Sequence, residues 1–176
     1  MKIDWLKSIK IAAILGSIAG ISAVLVSLAN VVTEPLIAAN KAKKEKDGLQ
    51  KVFGAEATYH EKEEIKDTKF LLAYYPVESQ TLGEGRVYST SGNNAYGTVS
   101  LLVGITSGYS LYNIVVMENT ESYALTLNEN YIVPLQEGTD KDSMLDQVKC
   151  GATYGAKLIR DMVNAAKDHY KNGGAL

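Results

Sequence analysis

Asp146-Gln147-Val148-Lys149-Cys150-Gly151-Ala152-Thr153-Tyr154-Gly155-Ala156 is the stretch on which the reading of the chain turns. Gly151, Ala152 and Gly155 keep bulk away from the Thr153 hydroxyl. Immediately afterwards Ala156, Ile159, Met162, Val163, Ala166 and Tyr170 recur at three- and four-residue intervals, so the spacing predicts an amphipathic helix ending near Tyr170, before Asn172-Gly173-Gly174. Thr153 is expected to be its N-cap, because a threonine oxygen accepts an unpaired first-turn N–H. Free N–H groups and the positive end of the helix dipole would draw an anion to the same place.

Upstream of this stretch the pattern changes from a period near 3.6 to strands. Tyr96–Ile105 and Ser110–Met117 are apolar, β-branched runs separated by Thr106-Ser107-Gly108-Tyr109, a hairpin. Phe70–Val77 reads as another strand, with Pro76 marking its end or an edge. Glu56–Lys69 reads as a loop with a short helix. Asn128–Asp142 is polar and turn-like, with Ile132-Val133-Pro134-Leu135 as an edge segment. Strands followed by a long helix point to an α+β domain with an antiparallel sheet and flanking helices.

The N-terminal part is of a different kind. No charged residue occurs from Ile11 to Thr33, a segment of about 34 Å as a helix against a hydrocarbon core of about 30 Å. A cleaved signal peptide has a shorter apolar region, and a buried soluble helix would show a polar face. A single membrane helix is therefore expected. Met1, Lys2, Lys7 and Lys10 favour a cytoplasmic N-terminus, although Lys41, Lys43, Lys44 and Lys46 beyond the other end oppose that bias. Pro35 is expected to kink or restart the helix, and Leu36–Phe53 reads as amphipathic. The expected organisation is a membrane anchor over 1–34, a juxtamembrane helix over 35–54 and one domain over 55–176.

The 176 residues carry a formal net charge of −2, which argues against nucleic-acid binding. One cysteine excludes an internal disulfide, and the Cys and His spacing shows no metal site. His60 and His169 are expected to be exposed. Eleven Tyr against two Phe suit strands with one wet face.

Cys150-Gly151-Ala152-Thr153 resembles the Ser/Thr-Gly-Ala-Thr flavinylation motif of the FMN-binding domain family, which includes the G subunit of the Rnf ferredoxin:NAD oxidoreductase and the C subunit of the sodium-pumping NADH:quinone oxidoreductase. The resemblance extends to Thr33-Glu34-Pro35-Leu36-Ile37-Ala38-Ala39-Asn40, similar to the family's post-membrane Thr-x-x-Pro-Ile segment, and to Asn94-Ala95-Tyr96-Gly97 before the hairpin. Glu118-Asn119-Thr120-Glu121-Ser122-Tyr123-Ala124-Leu125-Thr126 stands where the family has Glu-x-x-Glu-Thr-Pro-Gly-Leu-Gly, a loop that wraps part of the flavin site. Tyr123, Ala124 and Thr126 replace Pro, Gly and Gly there. Around the motif, Gln147, Cys150 and Gly155 stand where the family usually has Asp, Ser or Thr, and a further hydroxyl.

The resemblance implies a covalent FMN on Thr153 through a phosphoester made by a separate flavin transferase. Cys150, Gly151, Ala152, Tyr154, Glu121, Ser122, Tyr123 and Leu125 would surround it. It implies one electron-carrying step inside a multi-subunit, ion-pumping membrane complex, with the soluble domain on the extracytoplasmic side. No general acid–base pair and no nucleophile with an oriented base is legible, so no catalytic residue is assigned. Two other readings stay open: a flavin-free structural subunit of the same fold, and an unrelated membrane-anchored binding module.

Overall fold

A computed structural model describes residues 5–173. Met1, Lys2 and Gly174, used in the reading of the chain ends, lie outside them. The chain divides into two compact units, 1–43 and 44–176, and is α+β. The first helix, α1 (Trp5–Phe53), contributes to both.

In the first unit α1 is exposed throughout its described length, and it is long and apolar enough to cross a membrane once. Its Ser17 and Thr33 hydroxyls donate back to the carbonyls of Ala13 and Ala29, at 2.8 and 2.9 Å. That satisfies polar groups that an apolar medium would penalise. The helix runs on through Pro35 instead of restarting there. The ring forfeits one backbone bond, and the helix-forming Ala and Lys residues that follow sustain the conformation.

The second unit is built on an antiparallel sheet. Its strands are β1 (Thr58–Tyr59), β2 (Glu63–Glu64), β3 (Leu71–Ser79), β4 (Gly83–Asn94), β5 (Gly97–Thr106) and β6 (Leu111–Asn119). The order is β1-β3-β4-β5-β6, with β2 also paired to β3. Both faces are covered, which is why Leu101–Ile105 reads as an unbroken apolar run. On one face Leu49, Val52 and Phe53 of α1 pack against Tyr75, Val77, Val87 and Leu102. On the other, the last helix, α5 (Thr153–Lys171), lays Ile159, Met162, Val163 and Ala166 on Tyr88, Leu101, Val103 and Ile114.

Several expectations are corrected. Glu56–Lys69 holds the short β1 and β2 and no helix, because its backbone pairs with β3. Pro76 lies inside β3, opposite Arg86, and its carbonyl accepts from the His60 N–H at 2.9 Å. Its missing N–H therefore faces the short outer strands and costs no β3–β4 bond. Ala124 opens a short helix, α2 (Ala124–Leu127), followed by a π-helical turn (Asn128–Ile132) and α3 (Val133–Glu137). The expected edge segment at Ile132–Leu135 is thus helical. Leu127, Tyr131, Ile132 and Leu135 are all buried, a helical stripe that the polar residues between them hide. Pro134 sits in the first turn of α3, where its missing N–H is harmless.

β6 is an edge strand whose outward groups are occupied by side chains. Gln136 donates to the Ile114 carbonyl at 2.7 Å, Lys141 to that of Tyr112, and Lys44 to that of Met117. Asp142, in α4 (Lys141–Met144), accepts from the Leu111 N–H at 3.2 Å. Its carboxyl is held below the ordinary range: burial opposes this, but the bonds from Lys167 and the Leu111 N–H outweigh it.

Candidate functional site

The mouth of α5 is made by the main chain. Gly151 has φ +85°, a left-handed conformation that costs a β-carbon dearly, and it turns the chain into the helix. Ala152, with φ −119° and ψ 53°, is the capping position and has no side chain to cap with. Thr153 is the first helical residue and not the cap, a correction of the sequence reading: the turn at Gly151 starts the helix one residue later than the hydroxyl pattern implied. The first intrahelical bond runs from the Ala156 N–H to the Ala152 carbonyl at 3.0 Å. The N–H groups of Thr153, Tyr154 and Gly155 come before it and meet no acceptor among the described residues. Thr153 is half-buried.

Opposite stands the segment after β6. It is stitched to the start of β5 by Thr120 N–H to Thr98 O and Ser122 N–H to Tyr96 O, each 2.9 Å. This presents Glu121 inward, only 6% exposed. Asn94 joins the two sides, accepting from the Tyr96 N–H at 2.7 Å and donating its amide to Glu121 Oε1. The other carboxylate oxygen lies against Gly155: a β-carbon there would stand 2.4 Å from Glu121 Oε2 and 2.6 Å from Leu127 Cδ2. Gly155 is therefore needed for close approach. The buried carboxylate thus packs against the first turn of α5, where the positive end of the helix dipole favours a negative charge.

Between these walls lies a cleft of about 220 Å³ lined by Tyr96, Glu121, Tyr123, Gly151, Ala152, Thr153, Tyr154 and Gly155. The Tyr96 ring centroid is 5.7 Å from that of Tyr123 and 5.4 Å from that of Tyr154. All three rings are exposed, an aromatic rim over a polar floor.

Of the residues named from the sequence, Thr153, Gly151, Ala152, Tyr154, Glu121 and Tyr123 are brought together at this cleft. Three are not. Cys150 is buried in the core, with its carbonyl accepting from Asn130 at 3.0 Å. Ser122 spends its hydroxyl on the Tyr96 carbonyl at 3.4 Å. Leu125 is 78% exposed on α2 and does not line the cleft. Tyr96, Asn94 and Gly155 join the site without being candidates from the sequence. The Asn-x-Tyr-Gly turn before β5 is the one local signal that could have drawn attention to the first two.

His169 is likewise corrected: it is 3% exposed, on the face of α5 that meets the sheet. Its Nδ1 is hydrogen-bonded to the Tyr88 hydroxyl at 3.1 Å. Burial, with Arg86 adding to it, holds its pKa below the ordinary histidine value. Burial also pushes the Tyr88 phenol up to about 12. Among the described residues no cluster of His, Cys, Asp or Glu could hold a metal ion.

The donor set suits an anionic ester. The N–H groups of Thr153, Tyr154 and Gly155, unpaired among the described residues, share one side of the cleft with the Thr153 hydroxyl and Gly151, while the Glu121 carboxylate, bonded to Asn94, lines the opposite wall. Comparison with known proteins finds no family model that matches the chain and no match among curated proteins.

Proposed function

We propose that this protein is the membrane-anchored subunit of an Rnf-type ion-translocating ferredoxin:NAD oxidoreductase, carrying FMN on a phosphoester to Thr153. The observation behind this reading is the Thr153 hydroxyl at a helix mouth with three unpaired N–H groups, in a cleft rimmed by three tyrosines. A bound FMN would supply a redox couple that takes and gives electrons. The chain's own part is positional. Thr153 Oγ1 is the tether, and the N–H groups of Thr153, Tyr154 and Gly155 offset the ester's charge. Gly151 leaves that charge room to approach the backbone, and Tyr96, Tyr123 and Tyr154 offer aromatic faces to a ring.

In this reading α1 is a single-pass anchor in the cell membrane, with the N-terminus cytoplasmic and the second unit extracytoplasmic. A flavin transferase matures the protein, and the ion path belongs to partner subunits, since Ile11–Thr33 carries no ionisable side chain. A second reading, a flavin-free structural subunit of the same fold, is favoured by the size of the cleft: about 220 Å³ is below the roughly 300 Å³ at which small-molecule pockets usually begin.

Intact mass of protein made together with a flavin transferase separates the two. The first reading expects an addition of one FMN less water, lost in Thr153→Ala and kept in Thr153→Ser. An unmodified mass in the wild-type protein would leave the structural subunit.

A further inference from the structure

A second polar cavity lies at the other end of α5, around Arg86. The guanidinium carbon is 4.6 Å from the ring centroid of Tyr74 and 4.6 Å from that of Tyr170, so the cation lies over two aromatic rings. Tyr74 is fixed by a hydrogen bond from its hydroxyl to Glu63. The Tyr88 phenol, bonded to His169, lies against the same guanidinium. Yet no carboxylate pairs with Arg86 among the described residues. Its Nη1 is the one buried side-chain nitrogen or oxygen among them without a hydrogen-bond partner. Arg86 as a whole is half-buried and lines the cavity, so guanidinium donors other than this sealed nitrogen remain to meet an acceptor there.

Arg86 lines a cavity of about 220 Å³ together with His60, Glu63, Glu78, Glu84 and Tyr170. Glu78 and Glu84 stand directly opposite each other on β3 and β4, a like-charge pair that destabilises a sheet unless something cationic answers it. The His60 ring hydrogen-bonds to Glu78, at 3.2 Å, and to no other side chain among the described residues. Glu84 has no ion pair among the described residues. Glu84 and Arg86 are two residues apart on one face of β4, about 6.8 Å between Cα atoms. A lone anion would meet three glutamates in this cavity, and a lone cation would meet Arg86. A molecule carrying both signs a few ångströms apart answers both.

We propose that this cavity binds a compact zwitterion of the amino-acid class, its carboxylate on Arg86 and its ammonium between Glu78 and Glu84. The volume, below that of pockets for drug-sized or nucleotide ligands, suits a molecule of only a few heavy atoms, since a cavity of about 150 Å³ already admits benzene. The site is independent of any group on Thr153.

The test uses the full chain in mild detergent. The side-chain ¹⁵N–¹H signals of Arg86 and the ring signals of Tyr74 and Tyr170 are followed by NMR during titration with 4-aminobutyrate, butyrate or butylammonium. The expected result is a saturable shift with 4-aminobutyrate, and binding about tenfold weaker for each half-molecule. Glu84→Gln, an exposed substitution that leaves the stacked arginine in place, should bring 4-aminobutyrate down to the affinity of butyrate. Arg86→Lys, read on the tyrosine rings, should lose the preference over butylammonium. Equal affinity for all three molecules, linear shifts without saturation (an adventitious additive only) or an unchanged Glu84→Gln variant would overturn the proposal.

Discussion

Replacing Gly155 by Ala tests the geometry on which the cleft depends. In an isolated helix the change would gain up to about 1 kcal/mol, and less in a first turn. Here the new methyl would meet Glu121 Oε2 at 2.4 Å, Leu127 Cδ2 at 2.6 Å and Glu121 Cδ at 2.9 Å. Leu127 is fully buried and Glu121 nearly so, so neither can swing into solvent without loss. Overpacking of this kind costs about 1–3 kcal/mol. Pushing the carboxylate off the Asn94 amide forfeits a charge-assisted bond of about 1.5–3 kcal/mol. The expected net effect is a destabilisation of about 2–4 kcal/mol, read from urea unfolding of the detergent-solubilised chain by near-ultraviolet circular dichroism of its tyrosines. In a Glu121→Ala background the same substitution should cost at least about 1 kcal/mol less, because the two sites touch. A neutral or stabilising Gly155→Ala, or strict additivity of the pair, would refute the packing of Glu121 against the helix.

Other consequences follow from the same structure. The folded protein holds His169 below its ordinary pKa of 6.5, whereas the unfolded chain takes up the proton near that value. The contribution is therefore complete above pH 6.5 and is lost as the pH falls below it, with a slope approaching about 1.4 kcal/mol per pH unit. A series of melting curves between about pH 5 and 8 should show this, and His169→Gln should flatten it. Gly151→Ala forces a β-carbon into φ +85° and to 3.1 Å from Thr126 Cγ2. It should lower stability by about 1–2 kcal/mol, with Gly151→Asn milder, measured as a shift in the urea midpoint.

The parts of the fold that could be read directly were those whose burial is written in one period. β5 and β6 are runs of β-branched and apolar residues, and α5 repeats its apolar face without interruption. The short helices after α2 escaped because Asn128, Glu129 and Asn130 break the visible pattern, and Pro134 suggests an edge when it is only a first-turn residue. His169 departs from the expected exposure for a related reason: a lone polar side chain on an apolar stripe is buried when a distant partner, here Tyr88, is waiting. The candidate site follows the same logic. Thr153, Gly151 and Glu121 stand out by type and context, whereas Asn94 and Gly155 gain their roles only when β4, the loop after β6 and α5 meet. Apart from the Asn-x-Tyr-Gly turn, local sequence carries no trace of such a three-way contact.

The side chains ranged along β6 have a bearing on how copies of this protein tolerate crowding. An open strand border lets a foreign extended segment zip onto it rung by rung. Here the carbonyls of Tyr112, Ile114 and Met117 are already engaged by Lys141, Gln136 and Lys44. An intruding chain must first dislodge two ammonium groups and an amide before it can form its own ladder. Neighbouring molecules thus meet a fenced margin, and the sheet keeps its width even where many copies gather.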